Sequence, residues 1–217
     1  MRVDIYSDVA CPWCYIGQAR FERALSQFPG SEHVEVRYRP YQLDPRAPMS
    51  AEPMYDYLER RFGARGRAMA SHVIGLARAE GLEMDYDRGR SVNTLNAHRL
   101  LMLADREHGA AIQRALMHRL FDANFFQGKD IGAPRVLAEL AGEVGMDPDA
   151  ARNYLETGEG AGEVREAITE AQRLGVSAVP TYVFDDKYIV EGAQPTELFL
   201  QALNMLAEEA AATDVGR

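Results

Sequence analysis

Cys11 and Cys14 are the only cysteines among 217 residues, and only Pro12 and Trp13 separate them. Two thiols at i and i+3 suit reversible disulfide chemistry if the chain turns from strand to helix between them. The sequence meets that condition. Residues Arg2–Ser7 alternate as a strand, and Pro12–Phe28 carries helical periodicity before Pro29-Gly30 breaks it. Cys11 therefore falls where the free N–H groups and positive dipole end of a helix favour a thiolate. Cys14 lies one turn in, within reach of the same sulfur. Cys11 is the expected nucleophile, and Cys14 the resolving thiol that attacks the mixed disulfide formed on Cys11. A zinc site would need two further ligands, yet there is no third cysteine, and His33, His72, His98, His108 and His118 do not pair at ligand spacing. No metal is expected.

The neighbours of the pair have narrower readings. Pro12 fits the first helical turn because it has no N–H to satisfy. Trp13, the only tryptophan, is either an apolar contact for substrates or an ordinary packing residue. Asp8, three residues before Cys11, reads as a solvated loop carboxylate, with a proton-shuttling role for Cys11 as its other reading. His98 sits on an apolar helical face with Leu95, Leu101 and Met102, the usual setting of a satisfied core histidine rather than a catalytic one. Met49, Met54, Met69 and Met84 read as core, or as the lining of an adaptable apolar groove.

The elements around these residues fall into three blocks. After the first helix, Val34–Arg39 alternates at period two as a second strand, and a proline-rich stretch through Pro48 and Pro53 ends this β-α-β unit. Six helical runs follow with no strand signal longer than three residues: Met54–Arg61, Arg67–Glu80, Thr94–Glu107, Ala111–Phe126, Pro134–Val144 and Pro148–Glu156. Glycines close several of them, and Asp147 is a natural N-cap before Pro148. Then come a helix over Glu163–Leu174, a strand at Thr181–Phe184, a turn at Asp185-Asp186, a strand at Tyr188–Val190 and a last helix from Pro195 to Glu208. The expected fold class is α/β, a thioredoxin-like layer structure interrupted by a large all-helical insertion. Residues 1–50 and 160–209 would form the thioredoxin-like domain, 51–159 the insertion, which would act as a lid over the core, and 210–217 a frayed tail.

Composition limits the partners. With 47% hydrophobic and 26% charged residues the chain can bury a sizeable core. A net charge of −9 and a pI near 5.1 disfavour nucleic acid, which calls for clustered Lys and Arg. Arg60, Arg61, Arg65 and Arg67 form a local basic cluster and read as a solvated helix face. No apolar run approaches the roughly 18–20 residues of a membrane span, and Met1-Arg2 leads directly into a strand with no apolar leader. A cytoplasmic location is expected, where disulfides are transient and catalytic rather than structural.

Cys-Pro-Trp-Cys-Tyr-Ile-Gly at 11–17, Val179-Pro180-Thr181 ahead of a strand, and the helical block between them resemble the DsbA-type thioredoxin superfamily. Asn93–Leu100 and Glu191-Gly192-Ala193-Gln194-Pro195 resemble segments of its FrnE-like branch, although the extra C-terminal cysteines of some members are missing here. The resemblance covers residues 3 to 206. It implies a thiol–disulfide oxidoreductase in which the Pro12-Trp13 dipeptide tunes the redox potential. It also implies a cis-proline at 180 facing the cysteines, so that Val179 and Pro180 join Pro12 and Trp13 in holding substrate. No cofactor beyond the cysteine pair is implied, with glutathione a candidate co-substrate. The partner would be a disulfide- or thiol-bearing protein, glutathione or a natural product, and a homodimer is compatible with this reading. The rival is a glutathione-dependent isomerase or transferase, of the 2-hydroxychromene-2-carboxylate isomerase or kappa-class type. Those enzymes typically carry a serine near the first cysteine position, and the presence of both cysteines argues against them.

Overall fold

The structure, a computed structural model, describes residues 1–215. In chain order it runs β1 (Arg2–Ser7), α1 (Pro12–Gln27), a short 3-10 turn (Ser31–His33), β2 (Glu35–Pro40), β3 (Glu52–Pro53), α2 (Met54–Phe62), α3 (Arg65–Ala79), β4 (Arg90–Ser91), α4 (Leu95–His108) and α5 (Ala110–Phe125). It continues with α6 (Pro134–Glu143), α7 (Pro148–Glu156), α8 (Ala161–Arg173), β5 (Thr181–Phe184), β6 (Tyr188–Glu191) and α9 (Thr196–Val215).

Alternation along β1 sends Val3, Ile5 and Ser7 to one face of the sheet, where all three are buried. The strand order is β2-β1-β5-β6; β1 and β2 run parallel and the other pairs antiparallel. Register sets Tyr38 and Tyr182 on either side of Ile5, so one face carries Val3, Ile5, Ser7, Tyr38, Tyr182 and Phe184. Helices α1 and α9 cover it: the Phe21 ring lies 5.4 Å from Tyr182 and 5.6 Å from Phe199, and Phe199 lies 4.5 Å from Tyr182. On the opposite face Asp4 is buried between Arg2 and Arg39, at 2.7 and 2.6 Å.

Helices α2 to α7 lie between β2 and α8. Their attachment to α1 is electrostatic and aromatic. Glu80, capping α3, pairs with both Arg20 and Arg23 of α1. The Tyr15 ring stacks on Phe125 of α5 at 5.4 Å while its hydroxyl donates to Asp122 at 2.9 Å. The basic cluster of α2 and α3 is largely paired: Arg60 meets Glu52, Arg61 meets Asp44, and Arg67 lies 4.5 Å above the Tyr55 ring.

Two expectations need correction. The helical block also holds strand structure, the two-residue ladder pairing β3 with β4 (Glu52 opposite Ser91, Pro53 opposite Arg90), too short for period two to reveal. The segment 210–217 does not begin as a frayed tail: α9 continues to Val215, carried by Ala207, Ala210, Ala211 and Ala212, since alanine is the strongest helix former. Positions 216 and 217 of that segment lie outside the described residues. No helix among the described residues is long and apolar enough to cross a membrane.

Candidate active site

The turn from β1 into α1 is set by its backbone. Cys11 is the N-cap residue with extended geometry (φ −89°, ψ 113°), and its carbonyl already accepts from the N–H groups of Cys14 and Tyr15. Pro12 takes the first helical position. The loop before Cys11 is held from several sides. Asp8 Oδ2 accepts from the Leu43 N–H at 2.8 Å, and its Oδ1 accepts from the Ala10 N–H and lies 3.3 Å from His98 Nε2. The Asn124 amide donates to the Val9 carbonyl, and the Cys11 N–H to the Asp8 carbonyl. Asp8 is 1% exposed and is no solvated loop carboxylate. It is a buried anchor joining the cysteine loop to α4 and to the chain after β2, and His98 is the buried partner it meets there.

Both cysteines are free thiols, each 2% exposed. The Val179–Pro180 peptide bond is cis. The Cys11 thiol donates to the Val179 carbonyl at 3.7 Å, across 168 residues of sequence. The close approach depends on Gly17: a Cβ there would lie 2.7 Å from the Tyr182 hydroxyl and 3.1 Å from the Pro180 ring. Pro12 and Trp13 sit beside a groove of about 370 Å³ that Met54, Tyr57, Leu58, Met69 and Val73 of α2 and α3 line from the other side. Trp13 is 41% exposed there and is not ordinary core packing. Met54 and Met69 reach this groove, Met84 lines a separate cleft, and Met49 is exposed.

The two sulfurs differ in surroundings. Burial pushes the Cys14 thiol well above its ordinary range and the adjacent Cys11 adds to that, while the Ser7 hydroxyl and the backbone at Asp8 oppose the shift by less. Burial and the nearby Cys11 likewise push the Tyr86 hydroxyl up.

Residues that spacing did not reveal lie beneath Cys14. Ser7 Oγ, Gln18 Nε2, Tyr38 Oη and Tyr182 Oη are buried and have no hydrogen-bonding partner among the described residues. Ser7 lies beside the Cys14 sulfur and the Gln18 amide beside the Tyr38 hydroxyl, both outside hydrogen-bonding geometry. The one available signal was a serine at an inward-facing position of β1, where alternation asks for an apolar residue.

A model of the DSBA-like thioredoxin domain matches residues 2–204. Among solved structures, one described as a probable DsbA oxidoreductase, SCO1869 of Streptomyces coelicolor, is 37% identical, covers 96% of this chain and 91% of its own, and superposes with a TM-score of 0.86. YwbO of Bacillus subtilis (strain 168), itself uncharacterized, is 26% identical over 209 residues, 94% of this chain and 96% of its own length. The 2-hydroxychromene-2-carboxylate isomerase of Sphingobium xenophagum is 24% identical over 185 residues, 85% and 89% of the two chains. With a match over nearly all its length, on a fold that brings residue 179 against the first of two paired cysteines, the chain belongs to the DSBA-like thioredoxin domain family.

Proposed function

We propose that this protein is a cytoplasmic thiol–disulfide oxidoreductase, with Cys11 the nucleophile and Cys14 the resolving thiol. The Cys11 thiolate attacks a substrate disulfide R–S–S–R′, forming Cys11–S–S–R and releasing R′–S⁻. Cys14, deprotonated, attacks the Cys11 sulfur, the mixed disulfide breaks, and R–S⁻ leaves with a Cys11–Cys14 disulfide behind it. Two electrons pass from the pair to the substrate, and the reverse sequence oxidises a dithiol. No separate cofactor enters this scheme. The observation that carries it is the 3.7 Å contact between Cys11 Sγ and the Val179 carbonyl, which sets a strand-entry backbone segment against the sulfur at a helix N-terminus. An extended substrate would lie along Val179 and Pro180, with its apolar side chains against Pro12, Trp13 and the groove. Helices α2 and α3 would then serve as the lid of an insertion spanning 51–159. Substrate would approach along the groove, since neither thiol is openly exposed.

The deciding experiment is the reduction potential of the Cys11–Cys14 couple. A value near about −270 mV makes the protein a reductant like thioredoxin, and one near about −120 mV an oxidant. A pair that forms no disulfide in any redox buffer overturns the proposal. The likeness to the isomerase supports a second reading, in which the site activates the thiol of glutathione for isomerisation. Under that reading Cys14→Ser keeps full activity on an isomerisable substrate. Under the oxidoreductase reading, turnover stops at the mixed disulfide.

A further inference from the structure

Resolution by Cys14 requires a thiolate to form at a buried sulfur, and burial opposes that charge. The charged and titratable groups around Cys14 do little to help. Cys11 raises its cost, and Tyr38 and Tyr182 are buried neutral hydroxyls. Glu22 is negative and engaged with Arg114 and His118, and the Asp8 carboxylate is engaged with His98 and Leu43. Arg39 and His98 line a small cavity together with Ser7, but Arg39 is engaged with Asp4 and His98 with Asp8, and no cation is among the chief influences on the sulfur. On the sheet face that α1 covers with Cys14, Gln18 and Phe21, Ser7 Oγ at the end of β1 is 2% exposed, has no acceptor for its proton among the described residues, and is the side chain that favours charge on the Cys14 sulfur. An unpartnered buried hydroxyl is a cost to the fold in a purely structural role, so its place beside a sulfur that must become anionic calls for an explanation in the reaction.

We propose that Ser7 is a catalytic residue of the resolution step, turning its hydroxyl to donate a hydrogen bond to the Cys14 thiolate as that thiolate attacks the mixed disulfide. This rests on the oxidoreductase reading above. Ser7 gives up no proton: Cys14–SH loses its own to solvent, its sulfur bonds to that of Cys11, and the substrate sulfur leaves as the thiolate. The Tyr38 and Tyr182 hydroxyls, both near Cys14, complete a polar floor beneath the sulfur.

The reduced protein reacted with excess dithiobis(nitrobenzoate) tests this, because capture by Cys11 releases one equivalent of coloured thiolate and resolution by Cys14 releases the second. Losing a hydrogen bond to a charged atom should slow the second phase of Ser7→Ala about tenfold to a hundredfold at neutral pH. The pH at which that phase reaches half its maximal rate should move upward while the first phase is unchanged. Ser7→Thr, which keeps the hydroxyl, should restore the wild-type profile, and Ser7→Ala should unfold at the same or higher urea concentration because it removes an unpartnered group. A second phase of wild-type rate and pH profile in Ser7→Ala overturns the assignment, as does a destabilised Ser7→Ala whose two phases slow together. If the wild type itself releases a single equivalent, the oxidoreductase reading fails instead.

Discussion

Arg99 in the helical block and the side chains beneath Cys14 are similarly buried, yet they satisfy their polar atoms in opposite ways. Arg99, 3% exposed on α4, spends every guanidinium N–H: Nε on the Glu159 carbonyl, the other two nitrogens on Asn96 Oδ1 and the carbonyls of Leu155, Tyr154 and Thr157. It ties off the end of α7, where carbonyls have no helical partner. Ser7, Gln18, Tyr38 and Tyr182 lie between α1 and the sheet with those polar atoms unused. The saturated guanidinium cluster reports on stability, even though the Tyr154 hydroxyl beside it is also buried without a partner among the described residues. An unsaturated cluster beside a reactive sulfur reports on chemistry, because its hydrogen bonds are available to a charge that forms only during reaction.

The strongest way to probe the reactive side is to remove its sulfurs. Cys11→Ser should abolish reduction of a disulfide reporter, and Cys14→Ser should accumulate a mixed disulfide on Cys11, seen by intact mass. Loss of activity in Cys14→Ser without any adduct would erase the distinction between the two thiols. On the saturated side, Arg99→Ala leaves buried carbonyls without donors and should cost about 3–5 kcal/mol in urea unfolding. Reporter activity per folded molecule should hold. Tyr38→Phe should change stability by no more than about 1 kcal/mol, because the hydroxyl it removes has no partner to lose. If Tyr38→Phe proves as damaging as Arg99→Ala, the contrast between the clusters collapses.

Two smaller effects depend on pH. The Cys14 thiol is held up by burial, so iodoacetamide should label Cys11 of the reduced protein first and reach Cys14 only under alkaline conditions; peptide mapping checks this. Glu22 lies at the boundary between the clusters. Burial alone would raise its carboxyl, but hydrogen bonds from His118 and Arg114 outweigh burial and hold it below the ordinary glutamate range. A depressed carboxyl stabilises the fold above its unfolded-state value near about 4.3 and loses that contribution as pH falls through the lower folded value. Glu22→Gln should lose that contribution at neutral pH and flatten the acid limb, so that the stability curves of the two proteins converge in acid.

The parts of this molecule legible in sequence are those whose signals are local. The ranges of β1, α7 and β5 follow from alternation and from the Asp147-Pro148 start, and the cysteine pair announces itself by type and spacing. What stayed hidden depends on chain segments far apart. Nothing near Asp8 tells that Leu43 and His98 will close over it, and nothing near Ser7 tells that Cys14 will settle against its hydroxyl. The β3–β4 ladder is too short to show a period, and the alanines of α9 carry that helix to Val215 by propensity without a periodic apolar face. Val179 could be placed at the sulfur only through the family resemblance, since a proline before a strand is compatible with many arrangements.

Gly17 makes the site a matter of clearances. With 2.7 Å between a hypothetical methyl and the Tyr182 hydroxyl, α1 rests on the Pro180 segment with nothing to spare. One added carbon would work as a shim, lifting the helix start and opening the gap between Cys11 and Val179 while every reacting group keeps its chemical identity. Reactivity in this fold is thus machined as a tolerance, and a residue with no chemistry of its own holds the gauge.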